Sequence, residues 1–573
     1  MPAVNNGTNE WRLLEVDGAA VQRIVEPCGI PDWLGRLLVL RGITDPEEAE
    51  RFLHPSLEDL HDPLLMKGME RALGRLQRAI AGGEEILVYG DYDVDGITAT
   101  VLLRRALEML GGRVRHHIPH RLDDGYGVKA EVLEKAFRDG VSLVVTVDCG
   151  IRDWEAAARA RELGLDLIVT DHHLPGDRLP DAYAVLDPHQ VGDSYPDKDL
   201  AGVGVAFKVA QALFEAAGRG HVVHHFLKVA AIGTVADLVP LRGENRVIAK
   251  LGLRGLAEPY NLGLQALLNG SGVNGEVDHV DVGWRIAPRI NAFTRMGGGQ
   301  EIVDLFTAKD PKVVEAIMAE MNRRNEERRA EEQVILAAVA SLERRAPALF
   351  ERRVIVVGGK DWHRGVLGNV AARLAQRYQR PALVFSLGEG EAQGSGRSLP
   401  GVHLLELVER VADAFERFGG HAQAVGCTLK AEWSDAAGLE RLGVRLHELM
   451  EDLGAAGRRR PIRTVDAAAS LDFWSLDKLE WLERLAPFGE GNPVPLFMTR
   501  ALETDEEPIV LAGKHLKWQL RRAGDELEAI WWGGVARMNG GPRRGPMDWL
   551  YTVRRDRFQG REKILWTIED ARW

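Results

Sequence analysis

The sequence predicts an α/β fold class, in which a parallel-sheet domain and a second α/β domain are joined by a long helix and followed by a β-barrel. Short β-branched runs alternate with helical patterns between residues 81 and 240. Such alternation indicates a parallel sheet covered on both faces. The same alternation returns after residue 348, and short aromatic-rich strands with Gly-rich turns occupy residues 458–573, as in a small barrel or sandwich.

Residues 1–80 form the first predicted segment, an N-terminal helical region with apolar residues at helical spacing. Within it, Thr44 or Asp45 precedes Pro46 and acidic residues follow, which is typical of a helix start. Residues 81–300 are predicted to form the parallel-sheet α/β domain. Its last twenty residues contain Pro, Gly and several Arg, and we expect a loop-like basic segment there.

The next predicted segment, 301–347, contains the long connecting helix. Asp310 is expected to cap it and Pro311 suits its first position. The middle of this helix is polar all round, as expected for a solvated connector between two bodies. Residues 348–457 form the second α/β domain and residues 458–573 the barrel-like domain.

Composition limits the possible functions. The chain has 573 residues, enough for three or four domains, and its 45% hydrophobic content excludes wholesale disorder. A net charge of −12 argues against a general nucleic-acid coat protein but leaves a local basic groove open. The three cysteines, Cys28, Cys149 and Cys427, are too sparse for a disulfide framework or a zinc cluster.

Targeting signals are not evident in the sequence. The first residues lack a basic segment followed by an apolar run, so we expect no signal peptide. No apolar stretch approaches the roughly 20 residues of a membrane span, so we expect no membrane partner. These features predict a protein of a reducing compartment, the cytoplasm.

Acidic residues follow three of the predicted parallel strands. In open α/β sheets the ligand site lies beyond the carboxyl ends of the strands, so these side chains should converge. Converging carboxylates repel one another unless cations neutralise them, and carboxylates with an imidazole suit Mn²⁺ or Mg²⁺. A single Asp after a strand is more often a helix cap, but three such strand ends make coincidence unexpected. The residues are Asp91, Asp93, Asp95, Asp148, Asp171, His172 and His173.

Two further features are interpreted from the residues alone. Asp148 is placed to bridge two ions about 3.5–4 Å apart, the usual two-metal spacing in phosphoryl hydrolysis. The segment AGVGVAF at residues 201–207 lacks a phosphate-loop lysine, so its glycines are expected to permit tight packing.

At this point the motifs carry a family resemblance. GDYDVDG, VDCG, DHH and GTVADLVPL, in this order, resemble the four motifs of the DHH phosphoesterase superfamily. Within it the chain resembles the RecJ family of bacterial single-stranded-DNA-specific 5′→3′ exonucleases. WRIAPRINAFTRMG resembles that family's arginine-rich segment, GSGRS and FGGHAQAVGCTL its DHH-associated domain, and APFGEGNPVPLF the entry to its OB-fold. The resemblance covers nearly the whole chain.

The resemblance implies a site for two divalent ions, Mn²⁺ or Mg²⁺. One ion would be held by Asp95, Asp148, His172 and Asp237. The other would be held by Asp93 and Asp148, with or without Asp91. Related pyrophosphatases have a His where this chain has Tyr89, which leaves the second ligand set open. His173 would contact the phosphate rather than a metal.

Substrate contacts are also implied. Arg289 and Arg295 flank Asn291, and guanidinium groups grip phosphates bidentately. The alternative is that both arginines pair with acids of the same domain. In the DHH-associated domain the implied substrate-binding residues are His363, Arg397, Ser398, Gly420 and His421.

The implied activity is release of nucleotides from the 5′ end of single-stranded DNA, in DNA repair and recombination. The alternatives are a DHH phosphodiesterase for short oligonucleotides or cyclic dinucleotides, and a catalytically inactive replication scaffold. The implied partners are single-stranded DNA, a single-stranded-DNA-binding protein and a helicase, and the expected state is a monomer. Nothing in the residues themselves selects 5′ over 3′ polarity.

The last domain has residue types suited to holding a strand, with 20 Lys and Arg against 18 Asp and Glu over residues 458–573. Most single aromatics in a small barrel are core residues, and alternation along a strand should turn one of Trp531 and Trp532 outward. The interleaved aromatics are Trp518, Trp531, Trp532, Trp549, Tyr551, Phe558 and Trp566.

Overall fold

The structure is a computed structural model. It describes residues 10–573 apart from 121–124, 126, 260, 389–390, 400, 453–461, 505, 523–524, 539–543 and 559–560. The side chains of 521–522, 525–526, 557–558 and 561 also lie outside the described part. The predicted boundary between residues 457 and 458, and the side chain of Phe558, therefore fall outside the description. In the part of the chain that is described, no helix is long and apolar enough to cross a membrane.

The N-terminal region is helical, as predicted, after a short strand. Its elements are β1 (Trp11–Leu13), α1 (Gly18–Cys28), α2 (Asp32–Leu40) and α3 (Pro46–Leu53). The side chain of Asp45 accepts from the backbone N–H of Glu48, and Pro46 opens α3, which confirms the predicted helix start. Ile24 and Leu34 pack into the same core as Trp474, so α1–α3 join the C-terminal domain instead of standing alone.

The parallel-sheet domain has five parallel strands in the order β3-β2-β4-β5-β6. The strand order reverses between β2 and β4, which makes the carboxyl ends of these two strands a topological switch point. The elements are α4 (Met69–Gly82), β2 (Glu85–Gly90), α5 (Val94–Met109), β3 (Arg113–His117), α6 (Ala130–Arg138), β4 (Val141–Val147), α7 (Trp154–Leu163), β5 (Asp166–Thr170), β6 (Ala184–Leu186), α8 (Gly202–Ala216), α9 (Leu227–Ala236), α10 (Gly243–Gly255), α11 (Leu262–Gly270), α12 (His279–Asp281), α13 (Ala287–Arg295) and α14 (Gly299–Thr307).

Both faces of this sheet are covered, as the continuous apolar strands predict. On one face Val145 packs with residues of α4, α5 and α8, and on the other Val144 packs with residues of α6 and α7. Helix α4 shares the first of these cores, so the end of the predicted N-terminal region belongs with the sheet.

The expectation of a loop over residues 281–300 is wrong. A π-helical turn over Val282–Ile286 connects α12 to α13, and α14 follows. Pro288 lies in the first turn of α13, directly after the π-helical turn; because proline has no backbone N–H, the helical hydrogen bond at this position is missing where the π and α geometries join.

The long helix α15 (Pro311–Arg345) has 35 residues and is capped by the side chain of Asp310, as predicted. It begins later than residue 301, because residues 299–307 form the separate helix α14. Met321 packs in the parallel-sheet domain and Ile335 in the second α/β domain, so α15 connects the two bodies. Glu332 is buried within its polar stretch and pairs with Arg373.

The second α/β domain has a five-stranded sheet in the order β10-β11-β9-β8-β7, in which only the β7–β8 pair is parallel within the described strands. Its elements are α16 (Ala348–Glu351), β7 (Ile355–Lys360), α17 (Leu367–Tyr378), β8 (Ala382–Leu387), β9 (Ala392–Arg397), α18 (Leu404–Glu409), β10 (Phe415–His421), β11 (Ala424–Leu429) and α19 (Ala436–Asp452).

The C-terminal domain has a seven-stranded sheet in the order β13-β14-β18-β19-β17-β16-β15, and β12 pairs with β1. Trp566 is fully buried and stacks on Tyr551 at 3.7 Å between ring centroids. Trp531 is buried whereas Trp532 is 48% exposed, as alternation predicts. The elements are β12 (Arg463–Val465), β13 (Ala467–Ala468), α20 (Leu476–Arg484), β14 (Phe497–Thr504), β15 (Ile509–Leu511), β16 (His515–Arg522), β17 (Asp525–Trp531), α21 (Gly534–Met538), β18 (Gly545–Phe558) and β19 (Arg561–Arg572).

Candidate metal centre

The predicted acidic residues lie at one edge of the parallel sheet. Asp91 directly follows β2 and Asp148 directly follows β4, so the two flank the switch point. Asp93 is the N-cap of α5, where its carboxylate accepts from the backbone N–H of Asp95 at 2.9 Å. Asp237 follows the last residue of α9. The sheet therefore brings acids from distant parts of the sequence to one place.

His172 lies at the centre of this group. Its Nε2 is 3.1 Å from Oδ1 of Asp148, 3.6 Å from Oδ2 of Asp237 and 3.8 Å from Oδ2 of Asp95. Three carboxylates around one imidazole nitrogen form the donor set that suits a divalent ion of the Mn²⁺ or Mg²⁺ type.

The ligand atoms form overlapping groups that could hold a metal ion, with the atoms of each group within 4.8 Å of one another. Every predicted metal ligand occurs in these groups, together with His173, and Asp148 belongs to two of them. The groups are Asp95, His172 and Asp237; Asp91, Asp93 and Asp148; and Asp148, His172 and His173.

Asp148 is held in an unusual conformation. Its φ of +61° lies in the left-handed region, which non-glycine residues rarely adopt. A Cβ added to Gly202 would lie 2.6 Å from the Cβ of Asp148, so only glycine allows α8 to approach this closely. The prediction that AGVGVAF permits tight packing is confirmed, and the packing is against the metal site.

Asp95 is oriented by the N-terminus of α8. Its two carboxylate oxygens accept from the backbone N–H groups of Gly202 at 2.6 Å and Val203 at 2.8 Å. A helix N-terminus carries a partial positive charge that stabilises a carboxylate. The glycine segment therefore both makes room for Asp148 and fixes Asp95.

The pKa values of three carboxylates in this group are raised, so each resists ionisation while the others are close by. Burial and the neighbouring acids raise the pKa of Asp95 to about 7 and that of Asp237 to about 9. The same causes raise the pKa of Asp148 well above its usual value. In addition, no described residue donates a well-aligned hydrogen bond to the buried Oδ1 of Asp148. A divalent ion would satisfy this oxygen and offset the repulsion, so the donor set fits the implied metal.

The pKa values of the two histidines of the DHH motif are shifted in opposite directions. Burial, aided by His173, lowers the pKa of His172 to about 4, which leaves a neutral imidazole able to ligate a metal. Burial also lowers the pKa of His173, but the hydrogen bond of its Nδ1 to Asp171 at 2.7 Å outweighs this and raises the pKa. A raised pKa favours the protonated form of His173, which is suited to an anionic phosphate.

Asp171 was expected to converge on the ions with the other acids, and this expectation is wrong. Its carboxylate turns back to accept from the backbone N–H groups of Ile151 and His172 and to pair with His173, and it is absent from the metal groups of the described residues. It positions His173 instead of ligating a metal.

Asp187 was missed. It is fully buried, directly follows β6, and accepts from the backbone N–H of His189 at 2.7 Å. Burial, with a contribution from Asp171, raises its pKa to about 7. Its position after the predicted strand AYAVLDPH was the available signal, because Asp148 follows its own strand in the same way.

Tyr89 occupies the position where related pyrophosphatases have a histidine. It is fully buried, and its hydroxyl donates to the carbonyl of Gly127 at 3.0 Å. The second group, Asp91, Asp93 and Asp148, consists of carboxylates alone.

Two predicted arginines meet at the start of α17. Nη1 of Arg295 is 3.5 Å from Oδ1 of Asn369, a contact between the two α/β domains. Arg397 ends β9, and a Cβ added to Gly368 would lie 2.9 Å from its Nη2. Helix N-termini and guanidinium groups both attract phosphate, so this first turn is a phosphate-binding candidate.

Other predicted substrate residues have structural roles as well. Nδ1 of His363 accepts from the backbone N–H of Gly365 at 3.1 Å, and the hydroxyl of Ser398 donates to the carbonyl of Val402 at 3.0 Å. Gly420 has φ +142°, and an added Cβ would lie 2.2 Å from the carbonyl oxygen of Ala424. The close approach at Gly420 is therefore to its own hairpin, whereas a ligand was expected, and His421 beside it is exposed.

The arginine-rich segment presents its residues from helix α13. Arg289 donates to the carbonyl of Gly270, and Asn291 is half-buried one turn before Arg295. The contacts described for Arg289 and Arg295 are thus with a carbonyl and with the side-chain amide of Asn369. Neither contact is an ion pair, so the alternative of pairing with acids of the same domain gains no support from them.

Comparison with known proteins follows the same division of the chain. Residues 85–234 match the DHH family N-terminal domain, residues 351–451 the DHHA1 domain and residues 465–570 the RecJ OB domain. A single-stranded-DNA-specific exonuclease RecJ of Dickeya dadantii is 32% identical, over 87% of this chain and 88% of its own length. The chain belongs to the RecJ family. The RecJ of Bacillus subtilis is 38% identical over 91% of this chain, which spans 65% of that relative.

Solved structures agree with the RecJ assignment. The Thermus thermophilus RecJ in complex with Mn²⁺ matches with a TM-score of 0.79 and 29% identity, covering 98% of this chain and 79% of that one. The complex of the same RecJ with Mg²⁺ matches with a TM-score of 0.73 and 27% identity, covering 98% of this chain and 78% of that one. The predicted fold class is confirmed, including the C-terminal OB domain.

Proposed function

We propose that the chain is a metal-dependent exonuclease that hydrolyses phosphodiester bonds of single-stranded DNA from the 5′ end, in DNA repair and recombination. The observation that carries this proposal is the pair of ligand groups on either side of the switch point, with Asp148 between them. The names of the RecJ relatives support the substrate, and the resemblance alone supports the polarity.

The site residues have two roles, metal binding and phosphate contact. Asp95, Asp148, His172 and Asp237 hold one divalent ion, and Asp91, Asp93 and Asp148 hold the other. Bound Mn²⁺ or Mg²⁺ lowers the pKa of a water and stabilises charge on the attacking and leaving oxygens. The protonated His173 contacts a phosphate oxygen.

Substrate is held between the two α/β domains. Arg295 and Arg397 approach the first turn of α17 from opposite domains, so a phosphate there would be gripped from both sides. Arg289 and Asn291 contact the adjoining phosphate, and His363, Ser398, Gly420 and His421 line the second domain. A passage between domains connected by α15 admits one strand and excludes a duplex.

The C-terminal domain extends the contact to a longer strand. Most of its aromatics are core residues, and Trp532 is the exposed member of the predicted set among the described side chains. Stacking on exposed aromatics holds single strands without sequence preference. This surface favours a long substrate over the dinucleotides of the rival phosphodiesterase function.

One digestion experiment tests the proposal. Single strands and blunt duplexes labelled at the 5′ or the 3′ end are digested with Mn²⁺, Mg²⁺ or chelator, beside a dinucleotide substrate. We expect metal-dependent loss of the 5′ label from single strands. Release from the 3′ end, equal rates on duplex, or faster cleavage of the dinucleotide would contradict it.

Variants separate the metal centre from the surface. Asp148→Ala should abolish digestion, whereas Asp181→Ala, at an exposed pair with Arg161, should leave it unchanged. An active Asp148→Ala variant would refute the metal hypothesis. A scaffold without activity would show no digestion in any metal.

The resemblance also supports proposals about context. A single-stranded-DNA-binding protein and a helicase would deliver the strand to a monomeric, cytoplasmic enzyme. Light scattering of the purified chain tests the monomer, and co-purification with each partner tests the contacts.

A further inference from the structure

An apolar groove lies beside the metal centre. It is a cavity of about 370 Å³ between the segment after α9, the turn around α12, and residues 488–494 of the C-terminal domain. Its walls include Leu238, Val280, Trp284 and Phe488. The backbone N–H of Leu241 donates to the carbonyl of Glu490 at 2.8 Å, which fixes two of the walls against each other.

Leu238 is held out of the core at a conformational cost. It is 72% exposed and has φ +61°, a backbone region that a branched side chain rarely adopts. It directly follows the predicted metal ligand Asp237. A strained residue that exposes an apolar side chain beside a site is a candidate for a functional role there.

Trp284 is a second large apolar side chain that is exposed beside the groove. It is 78% exposed and lies in the π-helical turn Val282–Ile286, a local widening that often marks functional sites. The helix α13 that follows carries Arg289 and Arg295, the predicted phosphate contacts. The groove therefore includes the chain neighbour of the metal ligand Asp237, through Leu238, and the turn that leads into the helix of the phosphate contacts, through Trp284.

We propose that this groove binds one unpaired nucleobase of the DNA strand beside the phosphate held at the metal centre. The inference rests on the proposed function and adds to it a source of single-strand selectivity. A base in a duplex is paired and stacked, so it cannot turn into the groove without being extruded.

The chemistry of the surroundings selects a base over other occupants. The neighbouring carboxylates repel an anionic group, whereas a nucleobase is neutral, flat and apolar on its faces. Aromatic side chains bind such faces whatever the sequence. The ring of His279 packs edge-on to Phe488, with 5.6 Å between their centroids, which gives the groove an aromatic floor.

The test uses strands in which one nucleotide is abasic. A tetrahydrofuran residue is placed in turn at each of the first four positions of a short single strand, and kcat/KM is measured with Mn²⁺. In the wild-type chain one position should lower kcat/KM about tenfold, as expected for the loss of one base–aromatic stack. In Trp284→Ala the same abasic substrate should show no further loss, because the partner is already missing.

Three variants give controls. Trp284→Phe should restore the effect of the abasic position. Leu238→Asn relieves the left-handed strain while removing the apolar wall, so it should keep the unfolding temperature yet lose the abasic effect. Phe137→Ala, at a 47% exposed aromatic on α6, should behave as wild type.

The outcomes are distinct. A position-dependent abasic effect that survives Trp284→Ala in full, or its absence in the wild-type chain, would overturn the base groove while leaving the nuclease intact. Unchanged digestion of naked strands by Trp284→Ala would also overturn it and would point to a protein occupant. Failure of the wild-type chain to digest unmodified strands would refute the proposed function itself.

Discussion

Metal binding at the carboxylate site should release protons, in a number that depends on pH. The pKa of Asp95 is raised to about 7 and that of Asp237 to about 9. Near pH 6 the metal-free site therefore keeps a proton on both groups, and near pH 8 Asp237 still keeps its proton whereas Asp95 has lost it. The pKa of Asp148 is also raised well above its usual value, so a proton on this third ligand adds to the count. A divalent ion requires these carboxylates ionised, so its binding displaces these protons.

The size of the effect follows from linkage. Each displaced proton changes the binding free energy by about 1.4 kcal/mol per pH unit. The apparent Kd for Mn²⁺ should thus fall at least about a hundredfold per pH unit near pH 6 and at least about tenfold per unit near pH 8. Acids whose pKa is raised on folding stabilise the metal-free chain at low pH, and this stability is lost as pH rises through about 7 and then about 9.

Calorimetric titration with Mn²⁺ in two buffers of different ionisation enthalpy counts the released protons directly. Thermal unfolding with Mn²⁺ or chelator should show a metal-dependent rise in Tm that grows with pH. Asp237→Asn should reduce the pH slope of binding by about one proton, whereas Asp187→Asn, outside the metal groups but also with a pKa of about 7, should not change it. A Kd independent of pH, or equal slopes in both variants, would refute the assignment of Asp237 as a ligand.

The remaining predictions concern packing. Gly202→Ala should weaken Mn²⁺ binding at least tenfold, because the added Cβ would lie 2.6 Å from the Cβ of Asp148. Gly204→Ala is the control: the atoms nearest to its added Cβ belong to the Leu200 side chain, at 3.2 Å or more. This variant should bind Mn²⁺ normally in the same titration. Trp566→Ala should lower the free energy of unfolding by about 3–5 kcal/mol in denaturant titration. Trp532→Ala should change it by less than about 0.5 kcal/mol but weaken single-strand binding by about 1–3 kcal/mol, and the reverse ranking of the two tryptophan variants would contradict the assigned burial.

Much of the fold could be predicted because local and global signals agree. The strand Glu85–Gly90 is apolar from Ile86 to Tyr89 and is followed directly by Asp91, so its type, its burial and its ligand end were all visible in the sequence. Helix α15 was visible because Asp310 and Pro311 mark its start. The stretch 281–300 was misjudged because Pro288 and the glycines resemble loop residues, although proline fits a first helical turn.

The site was predictable where ligands directly follow strands. The turn of Asp171 toward His173, and the buried position of Asp187, depend on side-chain rotation and sheet order that sequence spacing does not specify. Likewise the association of α1–α3 with the C-terminal core joins residues more than 400 positions apart, for which periodicity carries no signal. The exposure of Leu238 and Trp284 could not be read from residue types that usually lie inside.

The fold itself compensates some of the clustered acids, and this determines where a metal is most needed. Asp95 accepts two N–H groups from α8, Asp93 accepts two from α5, and Asp171 pairs with His173. Asp148 and Asp237 have no comparable donors among the described residues, and burial raises the pKa of both. The uncompensated charge therefore lies at the group that surrounds His172, and we expect the ion held there to bind first and most tightly.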